Sequence, residues 1–156
     1  MNAHPKDQLN VIRIIHLALI GGIAFFSLVV AFLILGKETT SNEIELFNYF
    51  SPALFFIVII IQAQMFKITI KPALEKEIPL SKKLATFQTA NIIRMALLEG
   101  CGLFAAVVAL LNNEILHLVT VALTLGLMFA KLPTPLLLET EIQLSRNEKD
   151  QLTEEG

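Results

Sequence analysis

Tryptophan is absent from this chain of 156 residues, and tyrosine (Tyr49) and cysteine (Cys101) each occur once. A lone cysteine provides no disulfide framework, no C-x-x-C redox pair and no thiolate metal cluster, which excludes a quinone-linked thiol oxidase. With so few large polar aromatics, the chain is poorly equipped to line the aromatic cavity that a small drug/proton exchanger needs. The three histidines are dispersed: His4 lies in the N-terminal segment, His16 early in the first apolar run and His117 early in the last. Opposite helix ends cannot share a haem or a metal, since such sites need clustered ligands. No nucleophile is paired with a base, so no enzyme is expected, and no cofactor. No basic run is interleaved with aromatics, so no nucleic-acid partner is expected either.

What is abundant is oil. Apolar residues make up 54% of the sequence, and the mean hydropathy is +0.67. The apolar residues gather into four runs, at about 11–35, 52–70, 86–111 and 115–130. Runs near 20 residues match a hydrocarbon slab of about 30 Å, where only a helix satisfies its own backbone groups. The first run is too long for a signal-peptide core and lacks a small-x-small cleavage site, so it reads as a retained helix. Ser51-Pro52 offers a cap and a first-turn proline for the second helix, and Lys71-Pro72 closes it. The third is expected to begin as an extension near Ser81. Lys131 and Pro133 mark the end of the fourth.

Net charge is -2, from 12 basic and 14 acidic residues, but the total hides a segregation. Lys6 and Arg13 precede or open the first run. Lys67, Lys71, Lys76, Lys82 and Lys83 crowd the second connection, and Lys131, Arg146 and Lys149 follow the fourth run. The first connection has only Lys37 against Glu38, Glu43 and Glu45, and the third (Asn112, Asn113, Glu114) has no basic residue. Cytoplasmic loops retain Lys and Arg, so the pattern predicts an all-α integral membrane four-helix bundle, N-in/C-in, multi-pass in the inner (plasma) membrane. The same bias argues against dual topology. The basic connection could also touch anionic headgroups.

Residues 1–132 form the transmembrane domain in this reading, and residues 133–156 a short helical cytoplasmic tail. Thr134-Pro135 restarts a helix with Leu136, Leu137, Leu138, Ile142 and Leu144 on an apolar side. Ser145-Arg146-Asn147-Glu148 has capping-box spacing for another. The tail is expected to lie along the membrane or the bundle and could dock a soluble partner.

Glu99 stands in the middle of the third run, where a carboxylate facing lipid is costly, so it should face protein or water. Gly102, Ala106 and Ala109 follow it at i+3, i+7 and i+10, a small-residue face that lets another backbone approach closely. Such a face suits self-association as well as tight internal packing. Counting helical rise places Gln62 near the level of Glu99, and Arg94, Gln64 and His16 nearer the cytoplasmic side. Arg94 is five residues from Glu99, off its face, and is expected to snorkel toward headgroups. The candidate polar cluster is therefore Glu99, Gln62, His16, Arg94 and Thr124.

The stretch Ala96–Leu111 (ALLEGCGLFAAVVALL) resembles the ion-carrying helix of c-type proteolipids from rotary ATP synthases. That resemblance covers about a tenth of the chain. It departs from the family in lacking glycine-rich first and third helices, in placing the carboxylate before the last helix and in having a long basic loop. More broadly the chain is similar to small four-span bacterial membrane proteins of uncharacterised function with an A-x-x-E-G motif, here Ala96 to Gly100, in the third helix. That likeness implies no activity. Two roles are expected: a structural or accessory membrane subunit with Glu99 as a buried polar anchor to Gln62 or His16, or a small proton or cation transporter or channel with Glu99 as the carrier carboxylate. Implied partners are the lipid bilayer and a second copy or another membrane subunit.

Overall fold

A computed structural model describes residues 5–36, 45–75 and 78–153. His4, the Lys37, Glu38 and Glu43 connection and Lys76 lie outside the described residues. Within them every element is helical: α1 (Pro5–Leu35), α2 (Glu45–Ile70), a single 3-10 turn (Lys71–Leu74), α3 (Leu80–Asn112), α4 (His117–Ala130), α5 (Pro135–Ile142) and α6 (Arg146–Thr153).

The helices outrun the apolar segments that nucleate them. α1 begins at Pro5, six residues ahead of the expected start at 11, with proline at the first position, where its missing N–H costs nothing. α2 begins at Glu45 and carries Pro52 in its interior, so Ser51 does not cap it. Pro52 has no N–H for the carbonyl four residues earlier. Packing holds that weakened turn: the Phe50 ring meets Phe104 of α3 edge-on at 5.6 Å, and Ser51 is buried.

Among the described residues three helices, α1, α2 and α3, are long and apolar enough to cross a membrane. α4, with 14 residues, is about 21 Å long, and it counts as a fourth only together with α5, which bends 85° away from it. The flanks of these helices expose Phe25, Leu28, Phe32, Phe56 and Ile60, with Phe25 at 71% and Phe32 at 79%. So large an apolar surface is foreign to a water-soluble monomer, and the protein is a membrane protein.

α3 is the axis of the fold. Half of its most apolar window is buried, against 22% and 17% for α1 and α2, and α1, α2 and α4 all pack on it. Small residues allow the approach. A Cβ on Gly102 would lie 3.3 Å from Ile23 Cγ2 of α1 and 3.4 Å from Thr124 Cγ2 of α4, and Ala105, Ala106 and Ala109 are buried beside it. α3 ends where Asn113 turns left-handed (φ 53°) and returns its N–H to the Ala109 carbonyl, a conformation asparagine tolerates.

The described residues form two cores. One, along the spans, joins Ile20, Ile23 and Val30 to Leu98, Ala106 and Val121. The other forms at the opposite end of the long helices, where the tail folds back: Leu138, Ile142, Leu144 and Leu152 bury against Leu9, Ile12, Leu84 and Phe87. The tail is therefore a docked cap. Thr134 Oγ1 accepts from the Leu137 N–H at 3.1 Å to start α5, and Ser145 and Glu148 close the reciprocal capping box of α6.

Candidate functional site: a polar layer beneath the tail

Between the two cores α1, α3 and the tail bring their polar residues to one level. Arg94 of α3 is 2% exposed and donates to both oxygens of Glu141 on α5, Nη1 to Oε1 at 3.1 Å and Nη2 to Oε2 at 2.8 Å. The two parallel bonds match the planar fork of a guanidinium to a carboxylate. Its other side lies 3.5 Å over the Phe66 ring of α2, a cation–π contact that a desolvated site strengthens. Lys131 Nζ shares Glu141 Oε1 at 3.3 Å. The expected snorkelling is absent because a carboxylate from the folded-back tail reaches Arg94 inside the protein.

His16 is fully buried on α1. Its Nε2 lies 2.8 Å from the Met128 carbonyl, which can only accept, so the ring proton sits on Nε2. Nδ1 then accepts from Asn91 Nδ2 at 3.2 Å. Arg13 Nε donates to the Pro133 carbonyl at 2.7 Å, tying α1 to the turn before α5. At the edge of the tail Lys83 pairs with Glu148 at 2.9 Å, and Lys149 with Glu139. Burial alone would push the Glu148 carboxyl up, but the Ser145 N–H and the Lys83 ammonium outweigh it and hold the group below the usual carboxylate range.

The remaining candidates take other positions. Gln62 of α2 lines, with Phe66, Lys67, Arg94, Lys131 and Glu141, a cleft of about 370 Å³, so it joins Arg94 in one site. Thr124 is buried on α4, donating to the Thr120 carbonyl at 2.8 Å with its methyl toward Gly102. Glu99 stands apart. It is half-buried, its Oε1 lies 3.8 Å from where a Cβ on Gly22 would be, and among the described residues it makes no hydrogen bond or ion pair. It borders the small-residue interface instead of pointing to its centre.

Glu141, Asn91, Lys131 and Arg13 complete the layer and were outside the candidate cluster. The available signal was Arg94 itself: a cation within a span calls for a carboxylate, and the tail offers Glu139 and Glu141. Compared with known protein families, characterised proteins and solved structures, the chain matches none.

Proposed function

We propose that the protein is an accessory or structural subunit of a membrane assembly and that Glu99 meets a transmembrane helix of another subunit. The observation that carries this reading is the position of the carboxylate. Ala18 and Gly22 on α1, one turn apart, are exposed, as is Ala96, one turn from Glu99 on α3. Together they set exposed small residues beside a half-buried carboxylate. Small residues let a neighbouring backbone approach, and an intramembrane carboxylate calls for a donor on that neighbour. A carrier role for Glu99 calls instead for polar groups leading from it to both surfaces. His16 and Thr124 have their hydrogen-bonding groups committed to Met128, Asn91 and Thr120, which favours the subunit reading.

In this reading the chain crosses the inner membrane four times with both ends cytoplasmic. The polar layer and docked tail then lie at the cytoplasmic face, where the basic residues are retained. α4 is short for a full span, and local thinning of the bilayer accommodates it at modest cost.

The test combines flux and proximity. Purified protein in liposomes, wild type beside Glu99→Gln at matched density, is expected to give no protein-dependent proton or cation flux in either. A photo-crosslinker at Ala18 or Ala96 in native membranes is expected to give one discrete adduct with a second membrane protein, lost in Gly22→Leu. Wild-type flux that disappears in Glu99→Gln overturns the subunit reading and makes Glu99 a carrier.

A further inference from the structure

Among the described residues, the cleft beside Arg94 holds more positive charge than its carboxylate balances. Lys67, Arg94 and Lys131 line it against one carboxylate, Glu141. Glu141 is already engaged by Arg94 and Lys131, whereas Lys67 is exposed and among the described residues has no ion-pair or hydrogen-bond partner. Arg94, buried as it is, keeps its Nε without an acceptor. Gln62 at the inner end of the cleft is half-buried and likewise makes no hydrogen bond among the described residues. Unspent donors, one of them a free ammonium, around a concave, partly apolar wall are what an anion requires.

The location narrows the anion. Lys67 lies in the last turn of α2, and Gln62 to Ile70 covers about 12 Å of helix, a depth that runs from the hydrocarbon boundary into the headgroup layer. Ile60, seven residues before Lys67 and so on the same side of α2, is 63% exposed. An acyl chain lying along Ile60 would deliver a phosphate to Lys67 and Lys131. Basic pockets between helices at a membrane interface bind headgroups in this way.

We propose that this cleft is a binding site for the phosphate of an anionic phospholipid, held by Lys67 and Lys131 with Gln62 as a further donor, and with Arg94 supplying buried positive charge behind them. The inference does not depend on the subunit reading, since it uses a different face and different residues.

The experiment is native mass spectrometry of the full chain released from nanodiscs containing phosphatidylglycerol or only phosphatidylcholine. Lys67→Gln with Lys131→Gln is compared with Lys82→Gln with Arg146→Gln, a control pair that removes the same charge from exposed positions off the cleft. Wild type and the control pair are expected to retain one phosphatidylglycerol and no phosphatidylcholine. The cleft variant is expected to bind it about thirtyfold more weakly, from the loss of two interfacial cations, and Lys67→Arg with Lys131→Arg should restore retention. Equal loss in both pairs would mean diffuse attraction to a charged bilayer and overturn the site. Glycerol phosphate or inorganic phosphate at millimolar concentration is expected not to displace the lipid; displacement would make the ligand a free phosphate and overturn the lipid assignment.

Discussion

Arg94 is the residue on which the interior is most exposed to error, because its charge lies out of solvent with one carboxylate opposite. Removing one partner of a buried pair leaves the other uncompensated, at a cost of about 3 to 5 kcal/mol, while replacing both by apolar side chains is often close to neutral. Arg94→Ala and Glu141→Ala should therefore each lower unfolding stability in detergent by about 3 kcal/mol. Arg94→Met with Glu141→Leu should recover most of it, as read by thermal unfolding. An additive double variant would mean that the pair contributes no coupling. Sequence reasoning saw Arg94 but not its partner, because 47 residues and a chain reversal separate them. Thr124 was visible too, yet its place against Gly102 follows from how closely α3 and α4 approach, which is a property of the packing.

At the scale of elements, the tail is the part whose attachment can be titrated. α6 is held partly through Glu148, which the Ser145 N–H and Lys83 keep ionised below the ordinary carboxylate range. A depressed folded-state pKa adds stability that is complete above the unfolded value, about 4.3, and is lost as pH falls through the folded one. The docked tail should thus be unchanged between pH 7 and about 5.5 and begin to release below about 4. Hydrogen exchange across 146–153 measures this, and Lys83→Gln should move the release to higher pH. Release at the same pH in that variant would assign the attachment to the leucines alone. The Ser145-to-Glu148 box and the Thr134-Pro135 start were legible because caps are local. Where the helices dock was not, since Leu138 and Leu152 could equally have faced lipid.

For the whole molecule the proposed orientation is open to direct labelling. Cys101 is buried and can be replaced by alanine, leaving single cysteines to report sidedness. In right-side-out cells Asn113→Cys should react with an impermeant thiol reagent, and Ser81→Cys only after permeabilisation. The reverse pattern would invert the chain, and reaction at both from outside would mean that α3 does not cross. The same loops carry the argument from either direction: basic residues cluster where α2 meets α3, and the turn after Asn112 has none.

By itself the sequence determined that the chain is helical and apolar enough for a membrane, because backbone groups in hydrocarbon must bond internally and the lengths of the apolar runs match the slab. It also determined where two tail helices begin. Only the tertiary structure decided that α3 is the central helix, that the tail turns back to give Arg94 its carboxylate, and that Glu99 is left half-buried over Gly22. Those outcomes depend on contacts between residues far apart in the chain, where shape and charge are matched across helices and no local pattern records the match.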